Sequence, residues 1–118
     1  MEHKCGATRN VWLIDKYAIK IPRARSWRTF LNGLLANLTE REFSTMRSPL
    51  LAEVKYSDPI GLVLIMERAD KVLRYTTKNT SNFFKRCEDE GLPTDWNPWN
   101  IGVFGRQWKL IDFGTKQT

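Results

Sequence analysis

The sequence has few of the residues that build metal clusters, disulfide scaffolds or membrane spans. It contains one histidine and two cysteines, Cys5 and Cys87, which stand far apart in the chain. A zinc site is therefore not expected, and the two thiols are expected to be reduced, as in proteins of a reducing compartment. The longest uninterrupted apolar run is residues 62–66, which is too short to cross a bilayer.

Length and composition leave room for a single small domain. The chain has 118 residues, of which 42% are hydrophobic and 27% charged, a balance typical of globular proteins and not of disordered or fibrous ones. A chain of this length buries roughly two-thirds of its unfolded surface on folding, enough for one core. No apolar stretch follows the first residues, so a secretory signal is not expected.

Acidic residues are missing from one segment. Nineteen lysines and arginines against 13 acidic residues give a net charge of +6, and residues 16–28 hold five basic residues and no acidic one. Such a segment would suit the phosphates of a nucleotide or of nucleic acid, or form a solvated basic face. The sequence has no helix-turn-helix, zinc or RNA-binding aromatic motif. Nucleic-acid binding is therefore the least supported of these alternatives.

Hydrophobic spacing predicts an α+β fold with a mainly antiparallel sheet and one long helix. Alternation predicts a strand pair over residues 10–21, with Ala18 and Lys20 on one face of its second strand. Apolar residues at helical spacing, beginning with Trp27, predict a helix over residues 26–44. The other expected elements are strands at 50–56 and 61–66, a short helix at 79–90 and a final hairpin at 99–104 and 107–111.

Two features of the long helix run against its stability. Gly33 lies inside it and costs about 1 kcal/mol relative to alanine. Glu40 and Glu42 lie in its last turns, where acidic groups oppose the helix dipole. This placement suggests a cationic partner for one of the two glutamates, and plain surface glutamates are the alternative.

The order of several weak motifs is more informative than any one of them. In chain order they are Ala18-Ile19-Lys20 on a strand, Glu40 on a helix, Leu64-Ile65-Met66-Glu67, Asp95, Asn100 five residues later, and Asp112-Phe113-Gly114. This order resembles the protein-kinase-like fold, read from its ATP-binding strand to its Asp-Phe-Gly motif. It looks most like the very short kinase-like proteins found in phages and some enteric bacteria. The resemblance covers residues 6–114.

The resemblance implies a truncated kinase-like domain over residues 1–118. Residues 1–66 would form an N-lobe-like part with the sheet and long helix. Residues 67–118 would form the hinge, a short helix, the catalytic loop and the Asp-Phe-Gly-like hairpin. The larger helical lobe would be missing, and the flank exposed by its absence would need another copy or a host protein as partner. The expected location is the cytoplasm, that of a bacterial host if the gene is carried by a phage.

The resemblance also implies a site for Mg-ATP. The residues it assigns to nucleotide binding are Gly6, Ala18, Lys20, Glu67 and Ala69. Lys20 would hold the α- and β-phosphates, and Glu40 would fix that lysine, with Glu42 as the alternative. Gly6 would open a shortened phosphate loop in which the backbone amides of residues 6–8, with Arg9 as a further candidate, would meet phosphate. Ala18 would lie against the adenine, and backbone groups from Glu67 to Ala69 would bond the adenine edge.

Three further residues are assigned to catalysis and metal binding. Asp95 matches the catalytic aspartate that accepts the proton of a substrate hydroxyl, and it completes a catalytic set with Lys20 and Glu40. Asn100 and Asp112 together would hold Mg²⁺, a hard cation that prefers oxygen ligands.

Two departures from the family pattern leave more than one function open. Pro93 and Thr94 replace the His-Arg before the catalytic aspartate, and no lysine lies between Asp95 and Asn100. The first interpretation is an ATP-dependent phosphotransferase acting on a protein or a small molecule. The alternative is a pseudokinase-like binding module that engages or inhibits a host macromolecule. Each site residue also has a purely structural alternative, such as an ion pair between a lysine and a glutamate.

Overall fold

Two antiparallel sheets and two α-helices form the part of the chain that the computed structural model describes, residues 2–6 and 8–114. The five-stranded sheet has the order β1-β2-β3-β5-β4, and the three-stranded sheet has the order β6-β7-β8. The elements are β1 Glu2–Cys5, β2 Arg9–Ile14, β3 Tyr17–Pro22, α1 Trp27–Ser44, β4 Val54–Ser57, β5 Leu64–Glu67, β6 Lys71–Val72, α2 Lys78–Asp89, a 3₁₀ turn Pro98–Asn100, β7 Ile101–Phe104 and β8 Gln107–Leu110. The predicted α+β class, with a mainly antiparallel sheet and one long helix, is confirmed.

The hairpin of β2 and β3 fixes which side chains face inward. Its register pairs Val11 with Lys20 and Leu13 with Ala18. Ala18 and Lys20 are both buried, whereas Ile21, on the opposite face, is exposed. The prediction that Ala18 and Lys20 share one face is confirmed, and the structure shows that this face is the interior one.

Helix α1 packs on the sheet with its small and polar face. Ser26 caps its start by accepting a hydrogen bond from the backbone N–H of Thr29. The buried residues of α1 are Gly33, Ala36, Asn37 and Glu40. A Cβ on Gly33 would lie within 2.8 Å of Pro22, so the glycine that weakens the helix also permits its close approach to β3.

Part of the predicted strand at 50–56 is not a strand of the large sheet. Strand β4 covers Val54–Ser57, while Leu51 forms an isolated parallel bridge with Leu110 of β8. The backbone N–H of Ala52 also donates to the Leu110 carbonyl at 2.9 Å. The apolar run 50–52 is buried where the two sheets meet, so its hydrophobicity reflects a junction between sheets and not one longer strand.

The core joins both sheets to α2. Its largest fully buried side chains include Phe84 of α2, Met66 of β5 and Phe113. Cys87 of α2 is also buried, and burial raises the pKa of its thiol to about 12, so this cysteine packs as a small apolar residue. Among the described residues, no helix has the length and hydrophobicity to cross a membrane.

Candidate functional site

A buried ion pair joins β3 to α1. The ammonium Nζ of Lys20 lies 2.8 Å from Oε1 of Glu40, and both side chains are almost fully shielded from solvent. The strand period turns Lys20 inward, and the helix period places Glu40 on the inner face of α1 with Asn37. Glu40 is therefore the partner of Lys20. Glu42 is exposed and stands outside the pair.

Arg9, the first residue of β2, enters the same site. Its Nη2 lies 2.8 Å from Oε2 of Glu40 and 2.6 Å from Oδ1 of Asp112, and its Nη1 donates to Oδ1 of Asn37 at 3.0 Å. We call Arg9, Lys20, Glu40 and Asp112 the charge cluster. The sequence pointed to Arg9 only as a residue of the phosphate loop, so the contacts of Arg9 and Asn37 in this cluster were missed.

Simple periodicity would have found both missed residues. Arg9 alternates with Val11, and Val11 pairs directly with Lys20 across the hairpin. Asn37 precedes Glu40 by three positions, which is one helical turn. Its Nδ2 donates to the carbonyls of Lys20 and Gly61, at 3.1 and 2.8 Å, so Asn37 ties α1 to the sheet.

The Asp-Phe-Gly segment lies against the ion pair. Lys20 Nζ donates to the carbonyl of Ile111 at 2.6 Å, and the backbone N–H of Phe113 donates to Oε2 of Glu40 at 3.1 Å. A Cβ on Gly114 would collide with the Ala36 carbonyl of α1. The glycine therefore lets this segment lie directly on the helix, so that Asp112 is brought to Lys20 and Arg9.

The charges of the cluster set its protonation states. Burial opposes the charged form of Glu40, but the attraction and hydrogen bonds of Lys20 and Arg9 outweigh it and lower its pKa to about 2. Burial lowers the pKa of Lys20, against the attraction of Glu40. Burial raises the pKa of Asp112, which the two cations oppose and Glu40 reinforces. Two cations and two carboxylates thus balance in one small volume.

Asp112 is the member of the cluster that reaches solvent. Its side chain is 42% exposed, against 6% or less for the side chains of Arg9, Lys20 and Glu40. Arg9 donates to Oδ1 of Asp112, which leaves Oδ2 as the second oxygen of this carboxylate. This second oxygen is the atom through which the cluster could meet a cation from solvent.

In the predicted catalytic loop, amide N–H groups of the loop itself donate hydrogen bonds to the carboxylate of Asp95. Oδ1 of Asp95 accepts hydrogen bonds from Asn100 Nδ2 at 2.6 Å and from the Asn97 backbone N–H at 3.0 Å, and Oδ2 accepts one from Asn97 Nδ2 at 2.8 Å. Trp96 between them has a φ of +61°, a conformation that non-glycine residues rarely adopt. The Asn100 carbonyl accepts the N–H of Ile111 at 3.0 Å, so this loop is adjacent to the charge cluster.

The shortened phosphate loop is a tight turn. The backbone N–H of Gly6 donates to the carbonyl of Arg9 at 2.8 Å, and the guanidinium of Arg23 donates to the carbonyl of Gly6 at 2.8 Å. The Gly6 amide is therefore already bonded within the loop. Ala7, the middle residue of the predicted loop, lies outside the described residues.

The predicted adenine contacts lie at the end of β5. Ala18 is buried opposite Met66 in the β3–β5 register. The side chain of Glu67 binds Lys109 Nζ at 2.9 Å, which ties this end of the sheet to the second sheet. Within residues 2–6 and 8–114, the N–H and carbonyl of Ala69 make no backbone hydrogen bond, so they could bond a ligand edge.

The residues assigned to Mg²⁺ supply oxygen atoms but no closed cage. No group of three or more histidine, cysteine, aspartate or glutamate side chains in the described part of the chain could hold a metal ion. Asn100 and Asp112 lie on segments joined by a backbone hydrogen bond. Magnesium commonly takes one or two protein oxygens and completes its shell with water and substrate phosphates. The two residues supply too few oxygens for a site made by protein alone.

Comparison with known proteins adds no relative. No protein-family model matches the chain, and no curated protein matches its sequence.

Proposed function

We propose that this chain is a minimal kinase-like protein that binds Mg-ATP and transfers phosphate to a protein or small molecule. The observation that carries the proposal is the buried pair of Lys20 and Glu40 directly beside Asp112. The resemblance assigns these three residues to one nucleotide site, although they come from a strand, a helix and the segment after β8. Their convergence supports the assignment.

Lys20 has a hydrogen-bond donor to spare. An ammonium group has three N–H donors, and those of Lys20 meet Glu40 and the carbonyl of Ile111 among the described residues. In the proposed complex, the third donor would meet a phosphate oxygen. Because Glu40 fixes the lysine rotamer, the cation is held in place before a ligand arrives, which lowers the entropic cost of binding.

The carboxylate of Asp112 and the amide of Asn100 are the oxygen ligands proposed for Mg²⁺. The ion would neutralise phosphate charge and orient the transferred group. The Asp112 side chain is 42% exposed, and Arg9 donates to its Oδ1. Asp95, bonded to Asn100, is the residue proposed to accept the proton of the substrate hydroxyl.

The transfer step is tested with Asp95→Asn. We expect the parent chain to transfer ³²P from [γ-³²P]ATP to itself or to a general acceptor such as casein, and Asp95→Asn to lose at least about a hundredfold in rate. Nucleotide binding should remain, because Asp95 is proposed to contact the hydroxyl and not the nucleotide. Asp70→Asn is the control, since Asp70 is an exposed aspartate in another loop.

Transfer that persists in Asp95→Asn at the parent rate would refute the assigned base. The same rate in the parent and in a Lys20→Met chain would show a contaminating kinase. Absence of any transfer, with Mg-ATP still bound, would favour the second candidate.

The second candidate is a pseudokinase-like module that binds a host macromolecule, and Arg9 favours it. Arg9 places a guanidinium 2.6 Å from Asp112, on the carboxylate that would hold Mg²⁺. The charges of the cluster balance without a ligand, which also suits a purely structural role. Arg9→Gln separates the two candidates: it should tighten Mg-ATP binding if Arg9 competes with the ion, and only destabilise the fold if the cluster is structural.

A further inference from the structure

A cleft lies between α2 and the β7–β8 hairpin, and it shares no residue with the charge cluster. Its volume is about 380 Å³, within the range of about 300–1,000 Å³ that is usual for small-molecule sites. We call it the α2 cleft. Neither the kinase-like motifs nor the proposed nucleotide site uses the residues that line it, so it is a second concave site with no role assigned so far.

One stripe of α2 forms the first wall of the cleft. Asn79, Asn82, Phe83 and Arg86 follow the spacing i, i+3, i+4, i+7, which places them on one side of the helix. The stripe is roughly 10 Å long at 1.5 Å per residue. Phe83 is buried and the other three are exposed. This wall therefore combines a buried ring with two amides and a guanidinium at the surface.

The opposite wall is the start of β8 and the turn before it, with Arg106, Gln107 and Trp108. The rings of Trp108 and Phe83 meet edge to face with their centroids 6.0 Å apart, so the two walls are in contact. Nε2 of Gln107 donates to the carbonyl of Pro49 at 3.0 Å, and Pro49 also lines the cleft. These contacts fix three segments of the chain around the cleft, so its shape is formed without a ligand.

The charge of the α2 cleft is positive. No acidic residue lines it, and its two charged side chains are those of Arg86 and Arg106. Within residues 2–6 and 8–114, neither guanidinium forms a salt bridge. Glu90, about one turn beyond Arg86, accepts a hydrogen bond from Ser48 at 3.0 Å and does not line the cleft. Two cations thus meet in one concave site that contains no carboxylate.

We propose that the α2 cleft binds a small phosphate monoester with an apolar body, such as an aryl phosphate. A phosphate monoester carries a charge of about −1.5 to −2 near pH 7, which matches two guanidiniums, whereas a carboxylate would leave one of them unmatched. Arginine binds phosphate through paired N–H donors, and the amides of Asn79 and Asn82 add neutral donors. The apolar body would pack on the ring of Trp108.

The size of the cleft favours a free small molecule over a segment of another protein. A volume of about 380 Å³ holds a ring and its phosphate group. A stable protein partner buries about 800 Å² on each side, and so would need a surface well beyond these two walls. The proposed ligand does not depend on Mg-ATP, so the outcome of its test is independent of the proposed kinase activity.

Titration of the ¹⁵N-labelled protein with phenyl phosphate, followed by NMR, tests the proposal. At millimolar ligand we expect saturable shifts of the Trp108 indole N–H signal and of the backbone amides of Arg106 and Gln107. Trp108→Phe assigns the indole signal among those of the five tryptophans. Shifts confined to the segment around Asp112 would place the phosphate at the charge cluster and would overturn the proposal.

Two variants test the arginines. Arg86→Gln and Arg106→Gln should each weaken binding about fivefold or more, because each removes a charge-assisted hydrogen bond. Both side chains are exposed, so both variants should fold, which their melting temperatures check. Arg28→Gln is the matched control, because Arg28 is an exposed arginine on α1 outside the cleft, and it should leave the affinity unchanged.

Several results would overturn the proposal. Absence of saturable shifts would do so, and so would an equal loss of affinity in Arg28→Gln, which would show a general attraction to a basic surface. Inorganic phosphate that binds as tightly as phenyl phosphate would contradict the role of the apolar body, and benzoate that binds as tightly would contradict the charge match. A phosphotyrosine peptide that binds about tenfold more tightly than phenyl phosphate would contradict the free small molecule and assign the cleft to a modified protein.

Discussion

At the scale of single residues, Glu40 is where the contacts of the site converge. It accepts hydrogen bonds from Lys20, Arg9 and the backbone of Phe113. Three different parts of the chain are therefore held by one carboxylate that is shielded from solvent. Whether or not a nucleotide binds, loss of this charge should lower the stability of the whole fold.

Glu40→Gln is predicted to destabilise the protein by about 3–5 kcal/mol at pH 7, because Lys20 and Arg9 would be left buried beside an uncharged amide. Urea unfolding measures the change. Glu42→Gln is the matched control, since Glu42 is exposed on the same helix and should change stability by no more than about 0.5 kcal/mol. A Glu40→Gln chain as stable as the control would show that the charge cluster does not hold the fold together.

The same carboxylate predicts how stability depends on acid. The pKa of Glu40 is lowered from its ordinary value of 4.5 to about 2 in the folded protein. Its contribution is therefore complete above about pH 4.5 and is lost as the pH falls toward 2. Unfolding free energies of the parent should drop across this range. Those of Glu40→Gln should fall less steeply, and parallel curves would contradict the assignment.

At the scale of elements, Gly33 sets the distance between α1 and β3. Gly33→Ala gains helix propensity, yet its Cβ would lie within 2.8 Å of Pro22, so a net loss of about 1–3 kcal/mol is predicted. Asn32→Ala is the control, because Asn32 is exposed on the neighbouring position and gains propensity without a clash. Thermal unfolding of both variants measures the difference, and a Gly33→Ala chain more stable than the parent would show that the helix has room to move.

The elements also show how far periodicity reaches. Long alternating or helical patterns predicted the positions of β2, β3, α1 and α2 to within a few residues. In such segments, burial of one face dominates the sequence pattern. Strand β1 was not predicted, since Glu2–Cys5 has no apolar alternation and is defined by its pairing with β2. The two-residue strand β6 is too short to carry a pattern. In both cases the partner strand, and not local sequence, determines the structure.

Among the site residues, too, some were predictable from the sequence and others depend on tertiary packing. The pairing of Lys20 with Glu40 was expected from the resemblance, because each residue matches one position of a motif. The entry of Arg9 was not, although strand alternation places it on the inner face. Which cation meets which carboxylate depends on how closely Gly114 and Gly33 let the segments approach, and such distances are set by tertiary packing.

At the scale of the whole molecule, the charge cluster lies where several elements of the fold meet. The charge cluster joins the large sheet, α1 and the segment after β8, and it is where a nucleotide would bind. Trp27, Leu31 and Leu35 are exposed on the opposite side of the same helix.

The most direct test of the central claim is a thermal-shift titration with Mg-ATP. A ligand at about 100 times its dissociation constant, bound only to the folded state, adds about 2.7 kcal/mol, which should raise the melting temperature of this chain by roughly 10 °C. Asp112→Asn should lose most of this shift, and the control Asp70→Asn should keep it. No shift in the parent, or an equal shift in Asp112→Asn, would contradict a Mg-nucleotide site at the charge cluster.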